Sequence, residues 1–244
     1  LPAGVRLATA KRGGVTVTRV EIAREGLARP RGRYVTLEMP SVSVLDERDT
    51  DVIETGAAEL RALLPPEGPV LVLGIGNRRV TADALGPRTA QKILVTMGPQ
   101  HTLPVRGIRP VAALAPGVSG DTGLTLRQLA AAMVDAVRPA ALICVDSLCS
   151  AEAARLGRTI QFSDTGLHPA DARHARHLDA AALGVPVIAA GIPTLMDADE
   201  GADLVLTPRA LDSVIAHGSA LLAGILNRAL QPRLSVAQLC WLTG

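Results

Sequence analysis

Two aspartates follow apolar runs that are typical of buried strands. Asp83 lies beyond the run Val70–Leu73, across a loop, and Asp146 directly follows the run Ala141–Val145. In open α/β sheets, ligands bind at the carboxyl ends of the strands, and both side chains are expected there. If the two strands are neighbours in one sheet, both carboxylates face a single crevice.

Paired carboxylates can hydrolyse a bond, because one can remain ionised and activate water while the other holds a proton for the leaving group. Repulsion between two such groups drives their pKa values apart. Asp is also a common N-cap residue, so Asp83 could instead cap a helix that begins at Ala84, and Asp146 could cap a turn. Spacing alone leaves the catalytic and the structural interpretation open.

The elements that must position these aspartates are predicted from periodicity. Alternation of polar and β-branched residues in the first 45 positions predicts an antiparallel β piece. Apolar residues at helical spacing predict helices at Asp51–Leu64, Ala84–Met97, Leu124–Val137 and Pro208–Leu230. Apolar runs predict strands at Val70–Leu73, Val111–Ala115, Ala141–Val145, Thr159–Phe162 and Pro186–Ala190.

Alternating strands and helices favour a three-layer α/β/α fold with a mostly parallel sheet, to which the small N-terminal antiparallel piece is added. A length of 244 residues fits one α/β domain. We expect a single domain over 1–244, made of a β-rich segment 1–45, an α/β core 46–230 and a C-terminal tail 231–244.

Composition narrows the class of protein. Phe, Tyr and Trp occur once each while 48% of residues are hydrophobic, so the core must consist of aliphatic side chains. A formal charge of +2 with scattered arginines argues against a nucleic-acid partner. Cys144, Cys149 and Cys240 show no CxxC spacing, which argues against disulfides or structural zinc.

Membrane insertion and secretion are not indicated by the sequence. It lacks an uninterrupted apolar stretch of about 18 residues and a signal-peptide pattern, so we expect a cytoplasmic protein. Because the first residue is Leu1 rather than Met, we expect a processed or trimmed chain.

The loop after the first apolar run contains Gly74, Gly76 and Asn77. The two glycines allow a tight turn where a side chain would collide. The loop lacks the third glycine of a dinucleotide fingerprint and the Gly-Lys of a P-loop, so nucleotide binding is not expected. Asn77 could bond to its own loop or orient a catalytic carboxylate.

Five blocks resemble the germination proteases, which degrade small acid-soluble proteins when bacterial spores germinate. The first block is Leu73–Asn77 followed by Val80–Pro87, and the other four are Tyr34–Glu38, Ala115–Gly123, Ser163–Pro169 and Val185–Thr194. They occur in register across most of the chain. One departure is Ser147, because the family usually has Asp-Ala where this chain has Asp146-Ser147.

The resemblance implies an aspartic-type endopeptidase whose two essential aspartates match Asp83 and Asp146. It implies small acid-soluble spore proteins as substrates, a zymogen that loses an N-terminal propeptide, a homotetramer, and action in the cytoplasm of the spore core. We expect neither a cofactor nor a resident metal. The fold resembles that of hydrogenase maturation proteases. Residues expected to bind substrate or form the wall of the site are Gly74, Gly76, Asn77, Asp164 and His168.

The sequence also suggests three other interpretations. Asp164 lies in an Asp-Thr-Gly triplet, and a second triplet begins at Asp121, as in pepsin-like proteases, but those enzymes are antiparallel β proteins rich in aromatic residues. The Gly-x-Gly-Asn loop also fits a nickel-dependent protease of the hydrogenase-maturation type. A catalytically silent scaffold of the same fold is the third alternative, and retention of both Asp83 and Asp146 counts against it.

Overall fold

The computed structural model describes residues 1–46, 48–98, 107–167, 177–197 and 205–243. The strands are β1 (Val5–Arg12), β2 (Val15–Ile22), β3 (Gly32–Glu38), β4 (Val70–Gly74), β5 (Val111–Leu114), β6 (Ala141–Cys149), β7 (Thr159–Ser163), β8 (Val187–Asp197) and β9 (Val205–Leu206). The helices are α1 (Thr50–Leu63), α2 (Leu85–Ala90), α3 (Ser119–Thr122), α4 (Leu126–Val137), α5 (Ala180–Leu183), α6 (Leu211–Leu230) and α7 (Val236–Thr243).

The strands of the described residues form one sheet in the order β1-β2-β3-β7-β8-β6-β4-β5, with β9 paired to β8. Strands β5, β4, β6 and β8 are parallel to one another, whereas the other pairings are antiparallel. The α/β class and the N-terminal antiparallel piece are therefore confirmed. The sheet is more mixed than expected, because β3 pairs with β7 and thereby joins the N-terminal strands to the main sheet.

Strand β7 is antiparallel because of the short connection that precedes it. Only residues 150–158 separate β6 from β7, and they contain a single 3₁₀ turn. A parallel return needs a crossover of a dozen or more residues, so the chain must run back in the opposite direction. Thus β7 ends at the opposite edge of the sheet from the carboxyl ends of β6 and β8.

Helices cover both faces of the sheet and give the expected three layers. In β4, Val70 and Val72 pack into the cluster that includes α1 and α6, whereas Leu71 and Leu73 pack into the cluster that includes α4. Burial on both faces explains why the parallel strands appear in the sequence as continuous apolar runs. Helix α6 is long and apolar enough to cross a membrane by composition, but it packs against α1 and α2 as a core helix.

Helix α2 is shorter than the predicted helix Ala84–Met97, and a side chain on α6 explains the difference. The Asn227 amide accepts from the Leu94 N–H at 2.8 Å and donates to the Lys92 carbonyl at 2.9 Å. These bonds use backbone groups that a continuing helix would need. The tertiary contact thus ends the helix before its apolar periodicity does.

Candidate active site

The loop that carries Asp83 begins where β4 ends against β6. Gly74 is level with Val145 in the parallel pairing, and the Ile75 N–H donates to the Val145 carbonyl at 2.8 Å. The chain then turns through a short 3₁₀ helix, Thr81–Asp83, which contacts β6 and β8. The loop therefore lies over the carboxyl edge of the parallel strands.

The loop holds the carboxylate of Asp83 by its own backbone. Asp83 Oδ2 accepts from the Asn77 N–H at 2.8 Å, and the Asp83 N–H donates to the Val80 carbonyl at 2.9 Å. Asp83 does not cap α2, whose N-cap is Ala84 and makes no side-chain cap bond. Asp83 therefore does not have the capping role that was considered for it. Its carboxylate is bound to the loop, and the residue is half buried.

Gly76 leaves room for this carboxylate. Its φ is 125°, a conformation that L-residues rarely adopt, and a Cβ at this position would lie 2.0 Å from the Asp83 carbonyl oxygen and 3.0 Å from Asp83 Oδ1. A Cβ on Gly74 would lie 2.2 Å from the Gly86 carbonyl oxygen. Both glycines are required sterically, as expected for a tight turn.

Asn77 uses its side chain for the loop and its backbone for the carboxylate. Its Oδ1 accepts from the Arg79 N–H at 2.9 Å, which is an Asx turn. The more local of the two roles considered for the Asn77 side chain is thus the one observed. Orientation of Asp83 comes from the Asn77 N–H instead.

Asp146 lies within β6 rather than in a turn. It is paired with Gly191 of β8, is only 8% exposed, and its Oδ1 accepts from the Ser147 N–H at 2.8 Å. A Cβ on Gly191 would lie 2.3 Å from the Asp146 carbonyl oxygen, so β8 can approach this point only with glycine. Asp146 is therefore a buried carboxylate in the second half of a parallel strand, one residue beyond the level at which the neighbouring strand β4 ends.

Cys144 lies two residues before Asp146 on the same face of β6. Burial raises the pKa of the Cys144 thiol, and the negative charge of Asp146 raises it further. A nucleophilic cysteine needs a thiolate, and this environment opposes one. Cysteine-type catalysis at Cys144 is thus disfavoured, chiefly by burial of the thiol and further by the charge of Asp146.

The structure brings Asp83 and Asp146 to one edge of the sheet. Strands β4 and β6 are neighbours and parallel, which meets the condition that the sequence argument required. The 3₁₀ turn that ends at Asp83 contacts the strand that carries Asp146. Two carboxylates, each accepting from a backbone N–H, can share the roles of acid and base in hydrolysis.

Asp164 is not brought to these two aspartates. It follows β7 and lies toward the opposite edge of the parallel strands, because β7 is antiparallel to β8. Its carboxylate accepts from the Arg33 N–H at 2.6 Å and from Arg33 Nε at 2.7 Å, which ties β7 to β3. His168 was also expected in the wall of the site, but it lies outside the described residues.

Two contacts of the loop were not anticipated from the sequence. Arg79 forms an ion pair with Asp121 of α3 at 3.7 Å, so the block Ala115–Gly123 reaches the loop that carries Asp83. Thr194 of β8 donates to the Ala82 carbonyl at 2.9 Å. The sequence shows Thr194 as a polar residue inside an apolar strand, which is a possible signal of a role. It does not show the partner, which is 112 residues away.

Comparison with known proteins identifies the family. The profile of a family described as germination protease matches residues 2–200. The chain belongs to the germination protease family. It is therefore a peptidase of spore germination, and its substrates are proteins.

Curated germination proteases align over most of the chain. That of Clostridium perfringens strain SM101 is 32% identical over 90% of this chain and 86% of its own length. That of Caldanaerobacter subterraneus subsp. tengcongensis is 40% identical over 80% of this chain and 64% of its own length. Among solved structures, the [NiFe] hydrogenase maturation protease HycI from Thermococcus kodakarensis has a TM-score of 0.44 and 15% identity, covering 69% of this chain and 98% of its own.

Substitution of Ser147, which follows Asp146 in β6, is expected to give a measurable gain in stability. Its Oγ is buried and has no hydrogen-bond partner in the part of the chain that the structure describes. A buried hydroxyl without a partner has a desolvation cost of about 1–3 kcal/mol. We expect Ser147→Ala to raise the free energy of unfolding by about 1 kcal/mol, measured by urea denaturation.

Ser219 provides the matched control for this prediction. Its hydroxyl is also buried, but its Oγ donates to the Ala216 carbonyl at 3.0 Å. Ser219→Ala should lower the free energy of unfolding by up to about 1 kcal/mol, because a made bond is lost. Equal destabilisation by the two substitutions would contradict the prediction.

Proposed function

We propose that this peptidase is an endopeptidase that cleaves small acid-soluble spore proteins, with Asp83 and Asp146 activating a water molecule between them. The observation that carries the proposal is the position of the two carboxylates just beyond the level at which β4 ends. Asp146 lies there on the neighbouring parallel strand β6, and Asp83 lies on the loop that follows β4. Ligands of open α/β sheets bind at this edge.

The proposed chemistry divides the acid and base roles between the two aspartates. The ionised carboxylate takes a proton from water as the water oxygen attacks the peptide carbonyl carbon. The protonated carboxyl then donates its proton to the leaving nitrogen as the C–N bond breaks. Close carboxylates favour such a singly protonated pair, because both cannot easily be charged together.

A polypeptide substrate is supported by apolar side chains around the same edge. Val80 of the catalytic loop and Leu124 after α3 are exposed, as are Val205 and Leu206 of β9, which pairs with the end of β8. Side chains of an extended substrate can be buried against such residues. Short or loosely folded proteins fit best, because their backbone can reach a carboxylate as buried as Asp146.

The remaining properties are proposed from the resemblance. They are synthesis as a zymogen, assembly as a homotetramer and action in the cytoplasm of the spore core. We propose no cofactor and no membrane partner.

The proposal is tested by incubating the purified protein with an α/β-type small acid-soluble spore protein, with and without a strong chelator. We expect discrete cleavage products at equal rates in both samples, because the proposed chemistry needs only the two carboxylates and water. Substrate alone is the control for contaminating protease activity.

The other outcomes separate the alternatives. Cleavage that is lost with the chelator and restored by nickel would favour the metal-dependent protease. Absence of cleavage by the mature protein would contradict the proposed substrate and favour a silent scaffold.

A further inference from the structure

Strand β8 contains a bulge next to the candidate active site. Leu148 of β6 is paired with Pro193, but the next residue, Cys149, is paired with Leu195. Thr194 is therefore the extra residue on β8. Bulges interrupt the ladder locally and redirect a side chain, and they are common beside active sites.

The bulge directs Thr194 toward the loop that carries Asp83. Thr194 is fully buried, and its hydroxyl donates to the carbonyl of Ala82 at 2.9 Å. Ala82 is the residue directly before Asp83. The bond thus acts on the peptide unit that leads into the aspartate.

This bond differs in kind from the two loop bonds of Asp83 described above. The bonds from Asn77 N–H to the carboxylate and from Asp83 N–H to Val80 are internal to the loop, so they move with it. The bond from Thr194 comes from β8. It fixes the loop relative to the strand that is paired with the strand of Asp146.

We propose that Thr194 is a positioning residue for peptide cleavage, which sets the location of Asp83 relative to Asp146 through the Ala82 carbonyl. The inference rests on the proposed roles of the two aspartates. Small displacements of catalytic groups are costly, because reacting atoms must be held in near-attack geometry.

The test is the substitution Thr194→Val, which keeps the shape of the side chain and removes the donor. We expect kcat for cleavage of the spore protein to fall by about 10- to 100-fold, with KM within about twofold, because substrate contacts are unchanged. Thr194→Ser keeps the hydroxyl and should restore most of kcat.

Thr89→Val is the matched control. Thr89 is as buried as Thr194, and its hydroxyl donates to the Leu85 carbonyl at 2.8 Å within α2. This substitution also removes a buried bond from a threonine to a carbonyl, but the carbonyl belongs to the helix and not to the catalytic loop. It should change thermal stability and leave kcat within about twofold.

Several outcomes would overturn the inference. Parent-like kcat in Thr194→Val would do so, and so would equal losses in the Ser and Val variants, because packing and not the hydroxyl would then be responsible. If Thr194→Val does not fold, Thr194→Ser and Thr194→Ala give the same comparison, since they differ only in the hydroxyl.

Failure of the inference can be distinguished from failure of the proposed function. If Asp83→Asn retains activity, the proposed function is wrong and the role of Thr194 with it. If Asp83→Asn is inactive and Thr194→Val is normal, only the positioning role is wrong.

Discussion

Asp83→Asn and Asp146→Asn are each expected to lower kcat for cleavage of a spore protein by about 10²- to 10⁴-fold, the range usual for loss of a general acid or base. An amide cannot exchange the proton that the reaction requires. Its oxygen can still accept from Asn77 N–H in one variant and from Ser147 N–H in the other. Steady-state kinetics measures kcat of each variant, and thermal unfolding measures its stability separately. We expect the fold to be retained.

Asp121→Asn is the matched control for these substitutions. It makes the same change of charge near the same loop, but its ion pair with Arg79 is exposed at both ends, and such pairs contribute little. Its kcat should stay within about twofold of the parent. Near-parent cleavage by either Asp83→Asn or Asp146→Asn would contradict the two-aspartate mechanism.

The position of both aspartates could be predicted from the sequence because it follows from the position of the strands, which the sequence predicts. Residues Val70–Leu73 and Ala141–Val145 are buried on both faces, so their apolar runs marked parallel strands and therefore the edge at which open α/β sheets generally bind ligands. The sequence did not predict that β4 and β6 are neighbours; this was assumed. Their adjacency depends on the order in which crossovers place the strands, which local sequence does not encode.

Features that depend on distant partners were not predictable. Helix α2 ends early because Asn227, on α6, bonds to the chain at Lys92 and Leu94. The bulge at Thr194 matters only because the Ala82 carbonyl lies opposite it. In each case the backbone group and the side chain that binds it are more than 100 residues apart.

Asp164 illustrates the opposite limit, in which a motif suggests a site that the topology separates. Its place in a block that resembles the family favoured a role in the wall of a site near Asp83 and Asp146. The antiparallel direction of β7 instead carries it toward the other edge, where Arg33 binds its carboxylate. Strand direction, set here by the short connection after β6, decided its location.

The second large effect is expected for Gly76→Ala, which should lower both stability and activity. A Cβ would lie 2.0 Å from a backbone oxygen of Asp83, so the loop must shift and the carboxylate with it. The positive φ of Gly76 adds a conformational cost of about 1–3 kcal/mol. We expect the free energy of unfolding to fall by about 2–4 kcal/mol and kcat to fall by about 10²-fold, as for other misplaced catalytic groups.

Two glycines separate the causes of this effect. Gly14 also has a positive φ, 78°, but nothing lies within 4 Å of a Cβ built there, so Gly14→Ala measures the conformational cost alone. Gly120 has neither a positive φ nor a neighbour within 4 Å, and Gly120→Ala should be nearly neutral. If Gly76→Ala loses no more stability than Gly14→Ala and keeps the parent kcat, the contact between Gly76 and Asp83 does not position the carboxylate. A larger loss of stability together with a loss of kcat at unchanged KM would instead place the effect on Asp83, because substrate binding would be intact while the catalytic group had moved.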